Sequence, residues 1–277
     1  MEKRRMCPQC RAFISTDDRV CPYCESEVGP RRINRPSPGD VFGGFIPHAH
    51  FVTVMILLVN TALYIVMTLV SMQSREGGSI MSLDIRTLVE FGAKAPQEIF
   101  LGGQWWRLVM AGFLHGGMWH ILFNSVALFD IGAAAEEAYG ASRFVTIYIA
   151  TTITGFLVSL FFSPAISIGS SAPIFGLIGA MIALGTRYRT AMGSMIRSLY
   201  MKWAIFGLVF AFLMPGVDNY AHIGGIAGGF VIGYAAGVPG LLDTAIEKFW
   251  RAACWVSLGV TAYAFIMMIV GIFAQSR

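Results

Sequence analysis

The sequence predicts an all-α polytopic membrane protein, and three observations support this fold class. Hydrophobic residues make up 56% of the chain, charged residues only 13%, and the mean hydropathy is +0.64. Several uncharged runs are long enough to cross roughly 30 Å of hydrocarbon as helices. Basic residues cluster in alternate connecting segments. Together these features exclude a soluble globular protein.

Seven membrane spans are expected, several of them short because they pack inside a bundle. They lie near 51–72, 118–135, 144–162, 171–186, 200–215, 219–238 and 252–274. The first span follows a polar segment that contains paired cysteines, which is wrong for a secretory signal peptide. We therefore expect that span to stay in the mature protein as an anchor.

The loop charges predict the orientation of these spans. With seven spans, the segments rich in Lys and Arg all face one side. Those basic residues are Lys3, Arg4, Arg5, Arg11, Arg19, Arg31, Arg32, Arg35, Arg187, Arg189, Arg197, Lys202, Lys248 and Arg251. By the positive-inside rule the N-terminus is cytoplasmic and the C-terminus lies outside, which suggests a bacterial plasma membrane. The net charge of +4 then reflects orientation and contact with the lipid bilayer, not nucleic acid binding.

The chain divides into four parts. Residues 1–28 form a small metal-binding module, 29–48 a linker rich in Pro and Gly, 49–250 a polytopic core, and 251–277 an additional transmembrane helix. The longest outer loop, 73–117, is rich in Phe and Trp, which predicts that it lies at the membrane interface.

The metal-binding module is predicted from two Cys-x-x-Cys pairs, Cys7 with Cys10 and Cys21 with Cys24. This spacing is typical of a four-thiolate zinc ribbon. Disulfides are the alternative, which a reducing cytosol disfavours, and iron on the same sulfurs is another. A closed ligand set favours a structural module that binds a cytosolic partner. Cys254, alone in the last span, is expected to be a packing residue.

Residues suited to hydrolysis lie at the outer ends of three spans. His120 and Asn124 are four residues apart, so they share one helix face. Ser171 begins the fourth span, where backbone N–H groups have no intrahelical partner and favour negative charge. His222 lies near the start of the sixth span, at a depth comparable to Ser171. His115 is expected to make a structural hydrogen bond in the outer loop.

Glycines favour close contact between the fourth and sixth spans. Gly225, Gly229 and Gly233 recur every four residues in the sixth span, and the fourth span contains Gly176 and Gly179. Small residues at this spacing let membrane helices approach backbone to backbone. Such packing can bring a serine hydroxyl within about 2.6–3.2 Å of an imidazole.

Taken together, these motifs resemble the rhomboid family of intramembrane serine proteases. The matching motifs are Trp106-Arg107, His120-x-x-x-Asn124, Glu136-x-x-x-Gly140 with Arg143, Gly169-x-Ser171, and His222-x-x-Gly225-x-x-x-Gly229. The resemblance covers roughly residues 50–240. It implies a six-helix core around a water-filled cavity open to the outside. The last span is similar to the additional C-terminal helix of some members of the family.

The resemblance also implies a mechanism. Ser171 is the nucleophile, and His222 is the general base and then the general acid, with no third acid and no cofactor for catalysis. The Ser171 N–H and the side chains of His120 and Asn124 form the oxyanion site, and Phe175 packs against the base. The implied substrates are single-span membrane proteins, cut at small residues where the helix unwinds.

Two features depart from this pattern or are unexplained by it. Many members have glycine after the serine, whereas this chain has Ala172 and Pro173, which puts the level of activity in question. Asp130 lies inside the second span, where a snorkelling or paired structural role is expected. Two other functions remain open. One is a catalytically silent relative that binds transmembrane segments. The other is a transporter, which the scarcity of intramembrane charge disfavours.

Overall fold

The computed structural model describes residues 4–7, 9–10, 12–15, 18–28, 50–74, 77–240 and 244–275. The chain forms two compact units, Met1–His48 and Ala49–Arg277. The predicted linker, 29–48, lies outside the described residues.

The first unit contains a two-stranded antiparallel hairpin, β1 (Arg4–Met6) and β2 (Phe13–Ser15). A single bridge between Val20 and Glu27 closes a second turn. Its small core consists of Ile14 and Val28 packed with cysteine side chains. Since so little apolar surface is buried, the cysteines are central to the stability of this unit.

The regular elements of the second unit, in the part that the structure describes, are helices apart from one isolated bridge between Lys94 and Ser167. In chain order its helices are α1 (Phe51–Gln73), α2 (Ile85–Glu90), α3 (Pro96–Phe100), α4 (Arg107–Met110), α5 (Met118–Ala127), α6 (Ala133–Phe162), α7 (Ser171–Arg187), α8 (Ala191–Leu213), α9 (Asn219–Ala236) and α10 (Ala245–Gln275). A π-helical turn, Leu128–Gly132, joins α5 to α6. These helices form the predicted six-helix core with one further helix.

The second and third spans form one continuous helical stretch with a break. Met118–Phe162 has 45 residues, which at 1.5 Å per residue is about 68 Å, roughly twice the hydrocarbon thickness. Gly140 interrupts it with φ 71° and ψ 159°, a left-handed φ that favours glycine. The break therefore divides the stretch into two membrane-length helices.

Polar contacts group the helix ends that the topology places on the same side. Glu136 accepts hydrogen bonds from the N–H and hydroxyl of Thr53, at 2.8 and 2.7 Å, and so caps the start of α1. Arg143 donates to the carbonyl of Ala236 at 3.2 Å and forms a bidentate ion pair with Glu247 at 2.7 and 2.8 Å. The start of α1, the Gly140 break, the end of α9 and the start of α10 thus meet at one end of the bundle.

Helix α7 is the central element of the core. All of its residues from 172 to 185 are buried, and it contacts α6, α8 and α9. Against α9 the backbones touch. A Cβ added to Gly229 would lie 1.9 Å from the carbonyl oxygen of Gly176, and one added to Gly179 would lie 2.2 Å from that of Ile226. Only glycine fits at these two positions.

Two helices begin earlier than predicted. Helix α8 starts at Ala191, not near 200, and α10 starts at Ala245, not near 252. Thr190 caps α8 by accepting the N–H of Gly193 at 3.1 Å. The expectation that Arg197 and Lys202 lie in a loop was therefore wrong. Both are on α8 with exposed side chains, because a long basic side chain can extend from a membrane helix to water.

The outer loop was expected to lie at the membrane interface because of its aromatic residues, and the structure divides these residues into two groups. Phe91, Trp106 and Phe113 are buried in the core, with exposures of 5%, 8% and 4%. Phe100 and Trp105 are about half exposed. The loop folds back into short helices and packs on the bundle, so most of its aromatic surface serves as core.

The guanidinium of Arg107 holds this loop together. Arg107 is 2% exposed and donates to the carbonyls of Val89 at 2.6 Å and Ala93 at 3.1 Å, and to Oε1 of Gln104 at 2.8 Å. A buried cation that binds main-chain carbonyls from separate parts of a loop fixes the path of that loop.

Asp84 links the end of α1 to the start of α2. Its carboxylate accepts the N–H and hydroxyl of Thr87, at 2.8 and 2.7 Å, and the hydroxyl of Ser74 at 3.2 Å. Its own N–H donates to Ser71 Oγ at 2.9 Å. Partial burial alone would raise the pKa of Asp84, but these hydrogen bonds lower it to about 2.

We expect Asp84→Ala to destabilise the protein by about 0.5–2 kcal/mol near pH 6, because an N-cap is lost. The folded state lowers the pKa of Asp84, so the charged carboxylate stabilises above the unfolded value of about 3.9 and this contribution disappears as pH falls towards 2. Thermal unfolding of both proteins in detergent between pH 6 and pH 2.5 measures the difference. If the difference in stability between the two proteins does not become smaller at low pH, Asp84 does not have this role.

Candidate active site

Ser171 and His222 form a hydrogen-bonded pair between two packed helices. Ser171 is the first residue of α7, and His222 lies in the first turn of α9. His222 Nε2 is 2.9 Å from Ser171 Oγ, within the range of a competent nucleophile and base. His222 is 3% exposed, whereas Ser171 is partly accessible. The pair is therefore shielded on the histidine side and open on the serine side.

The imidazole of His222 is held by an aromatic ring. Phe175, one turn after Ser171, stacks on His222 with ring centroids 4.3 Å apart and an interplanar angle of 25°. His222 Nδ1 has no hydrogen-bond partner among the described residues. Stacking, not a carboxylate among the described residues, thus orients the ring of this candidate dyad.

Close backbone contact places the two helices so that this pair can form. A Cβ added to Gly225 would lie 2.2 Å from the carbonyl oxygen of Ala172. On the neighbouring α6, a Cβ added to Gly155 would lie 2.8 Å from the carbonyl oxygen of Ala221. Glycines therefore lie directly beside both members of the dyad.

His120 faces the same space as the serine hydroxyl. Gly169 has φ 125°, and a Cβ there would lie 2.7 Å from His120 Nε2 and 3.6 Å from Ser171 Oγ. His120 Nδ1 accepts the N–H of Gly116 at 3.4 Å. The proton of the neutral ring is then on Nε2, the atom that lies next to Gly169.

Asn124 lies one turn further along α5 and is 8% exposed. Its amide nitrogen donates to the carbonyl of His120 at 2.9 Å. The amide has a second hydrogen, so one Asn124 N–H remains for another acceptor. The structure brings His120 against Gly169, two residues before the serine, and places Asn124 one turn further along the same helix.

His115 supports the segment before the serine. It is 1% exposed, its Nε2 is 3.2 Å from the hydroxyl of Ser170, and its ring centroid is 5.1 Å from that of His120. The N–H of Gly169 donates to the carbonyl of Ala111 at 2.8 Å. The outer loop therefore fixes both residues that precede Ser171.

Trp106 makes its contacts within the outer loop. It packs over Gly92, and its ring lies 5.0 Å from the guanidinium of Arg107. Asp130 is exposed on the π-helical turn. Cys254 is partly buried on α10 against the core. The structure does not bring these side chains to the serine.

Sequence reasoning missed two charged residues near the site. Asp218 caps α9 by accepting the N–H of Ala221 at 3.2 Å, and it also accepts a hydrogen bond from the hydroxyl of Ser159. An aspartate just before an apolar helix is a recognised N-cap signal and was readable. Lys94 is fully buried, and its local sequence gives no sign of this.

The four N-terminal cysteines converge. Their Sγ atoms all lie within 4.8 Å of one another, with Cys7 to Cys24 and Cys10 to Cys21 both at 3.7 Å. A tetrahedral site with Zn–S bonds of about 2.3 Å has sulfurs about 3.8 Å apart. A hydrogen bond from the backbone of Cys10 is the main cause that lowers the pKa of Cys7 to about 6. The cluster fits a zinc ribbon.

Known proteins match the membrane unit. The Rhomboid domain matches residues 102–238, which contain Ser171 and His222. Rhomboid protease GluP of Bacillus subtilis (strain 168) is 40% identical over 158 residues, which are 57% of this chain and 31% of GluP. RHOMBOID-like protein 7 of Arabidopsis thaliana is 35% identical over 166 residues, 59% of this chain and 53% of that protein.

A third relative is the putative rhomboid protease YdcA of Bacillus subtilis (strain 168), 29% identical over 134 residues, 48% of this chain and 67% of YdcA. The chain thus spans about a third to a half of the first two relatives. The fold, the helical membrane spans and the matched domain agree, and the membrane unit matches the rhomboid family over residues 102–238.

Proposed function

We propose that this protein is a serine endopeptidase that hydrolyses peptide bonds in or near transmembrane segments of single-span membrane proteins. The observation that carries the proposal is the 2.9 Å contact between Ser171 Oγ and His222 Nε2 inside an integral membrane bundle. No cofactor enters the proposed reaction.

In the first step His222 Nε2 takes the proton of the Ser171 hydroxyl as Oγ attacks the scissile carbonyl carbon. The Phe175 ring keeps the imidazole in place during the transfer. The imidazolium then gives that proton to the nitrogen of the leaving amine, and the peptide C–N bond breaks. In the second step His222 activates water, which hydrolyses the acyl-enzyme ester and regenerates Ser171.

Three donors are assigned to the developing oxyanion. They are the Ser171 backbone N–H, the Nε2–H of His120 and the second amide N–H of Asn124. The first lies in the opening turn of α7, where the helix dipole favours negative charge. In comparable sites one such donor contributes about 2.7–4 kcal/mol to the transition state.

The substrate must expose its peptide bond before it can react. In a stable transmembrane helix every backbone group is hydrogen-bonded internally, so the scissile bond is shielded. The proposed cleavage sites are therefore segments with small residues that unwind readily. The partly accessible Ser171, opposite a buried His222, is consistent with substrate approach from the serine side.

We propose that the N-terminus is cytoplasmic, the C-terminus is outside, and the host membrane is a bacterial plasma membrane. The exposed basic residues Arg187, Arg189 and Arg197 lie at the end of α7 and the start of α8, opposite the end that carries the dyad. The positive-inside rule assigns that basic end to the cytoplasm.

We propose that residues 1–28 are a structural zinc ribbon, 29–48 a linker and 49–250 the catalytic core, with 251–277 in the added helix. Phe13 and Tyr23 of the ribbon are 66% and 70% exposed, which is consistent with a cytosolic partner that recruits substrates. Unchanged substrate choice in cells after deletion of residues 1–28 would contradict this recruiting role.

The purified protein is expected to contain one Zn²⁺ per chain, because four thiolates at these distances form a closed tetrahedral site. Cys21→Ser should lose the metal, and Cys254→Ser, a cysteine outside the cluster, should keep it. Elemental analysis of metal against protein measures both. Iron in place of zinc, or full zinc content in Cys21→Ser, contradicts the assignment.

The proposed function is tested by incubating the purified protein with several model single-span substrates in detergent. We expect cleavage by the wild-type protein. If the folded protein binds these substrates and cleaves none, the protease proposal is wrong, and the protein is a catalytically silent relative that binds transmembrane segments. Restoration of cleavage by Ala172→Gly would then show that the residue after the serine causes the inactivity.

A further inference from the structure

The mechanism above does not use Lys94, a fully buried lysine of the outer loop between α2 and α3. Its Nζ donates to the carbonyl of Ser163 at 3.0 Å and to that of Ala165 at 2.7 Å. Its backbone pairs with Ser167 in both directions, at 2.9 and 3.0 Å. One residue thus makes four hydrogen bonds to the segment between α6 and α7.

This segment, 163–170, leads directly to the nucleophile. Two further hydrogen bonds, of Gly169 to Ala111 and of Ser170 to His115, tie its last residues to the outer loop. The carbonyl of Ala93, next to Lys94, is held by Arg107. Lys94 is therefore one of three anchors of the segment that leads to Ser171, together with Ala111 and His115.

Burial of an ammonium group is energetically unfavourable, because its desolvation must be offset by good acceptors. An apolar side chain of similar length would pack there without that penalty. Burial lowers the pKa of Lys94, and the negative charge of Asp218 opposes that shift. Asp218 caps α9 four residues before His222. The hydrogen bonds of Lys94 therefore hold the segment that precedes Ser171.

We propose that Lys94 is a positioning residue for the dyad: its ammonium and backbone fix the 163–167 segment, which leads to Ser171 and so sets Ser171 against His222. This proposal rests on the proposed function, because it concerns the activation of the same serine. It assigns Lys94 no contact with the substrate.

Lys94→Met tests the proposal, because methionine keeps a similar length and loses the charge and the donors. We expect labelling of Ser171 by a small fluorophosphonate probe to slow by at least tenfold, and kcat for a model substrate to fall in parallel with KM nearly unchanged. Lys248→Met, the same substitution at an exposed lysine, should behave as wild type. Lys94→Gln, which keeps one donor group, should give an intermediate labelling rate. This variant provides the test if Lys94→Met does not fold.

Hydrogen–deuterium exchange provides a readout that needs no catalysis. Amides of 163–170 should exchange faster in the Lys94 variants, while those of α7 stay protected. A lower melting temperature with labelling and kcat unchanged would mean that Lys94 only stabilises the fold, and would overturn the proposal. Unchanged exchange would overturn it as well. If the wild type is not labelled and cleaves nothing, the proposed function fails. Hydrogen–deuterium exchange would still report whether Lys94 holds the 163–167 segment.

Discussion

Replacing Ser171 or His222 with alanine is expected to reduce cleavage by about 10⁶-fold, to below detection in most assays. Ser171→Ala removes the atom that bonds to the substrate carbon. His222→Ala leaves the hydroxyl without the base that now lies 2.9 Å from it. Because the two side chains act as one unit, the double variant should be no worse than either single variant.

This result is measured by following cleavage of a single-span substrate, with thermal unfolding as a check that each variant is folded. Ser194→Ala, which alters an exposed serine on α8, is the matched control and should retain wild-type activity. Substantial cleavage by folded Ser171→Ala would mean that another nucleophile is used, and the assignment of the dyad would be wrong.

Gly229→Ala is expected to disrupt the packing of α7 against α9, although it adds a single methyl group. The new Cβ would lie 1.9 Å from the carbonyl oxygen of Gly176, a backbone atom that cannot move away by rotating. Overpacking of this kind destabilises by about 1–3 kcal/mol. Because α9 also carries His222, a shift of the helix separates the dyad, and activity should fall more than the loss of stability alone explains.

Gly259→Ala is the matched control, because a Cβ at this exposed glycine of α10 meets nothing within 4 Å. Alanine has the higher helix propensity, so this variant should be at least as stable as wild type. Thermal unfolding and cleavage rates of both variants provide the comparison. Wild-type stability and activity in Gly229→Ala would show that the helices tolerate a wider separation than the structure has.

The sequence predicted the helix pair of the site because its requirements are local. Glycine every four residues after His222 marks a face for backbone contact. A serine at the first residue of an apolar run has free backbone donors. Both statements depend only on residue type and spacing, and the structure places Phe175 one turn from the serine as the same spacing requires.

The surroundings of the site could not be predicted in the same way. The burial of Lys94 depends on two carbonyls about seventy residues away in the chain, at Ser163 and Ala165. The aromatic loop was expected at the interface because composition alone cannot separate a membrane-facing Trp from a core Trp. Arg107 is the residue that folds this loop inward, and two of its acceptors are main-chain carbonyls, which carry no sequence signal.

The start of α8 was predicted too late for a related reason. Arg197 and Lys202 look like loop residues when a span is defined by the absence of charge. The structure places both on the helix, with Thr190 as the cap. A basic side chain near the end of a membrane helix can extend to the headgroups, so charge alone does not mark a boundary.

The most direct test of the proposed activity is mass spectrometry of the products formed when wild-type protein and Ser171→Ala are reconstituted in liposomes with a single-span substrate. We expect the wild type to give two fragments, separated at a peptide bond in or beside the transmembrane segment, and Ser171→Ala to leave the substrate intact. Intact substrate with both proteins, or the same fragments with both, would contradict the proposed activity.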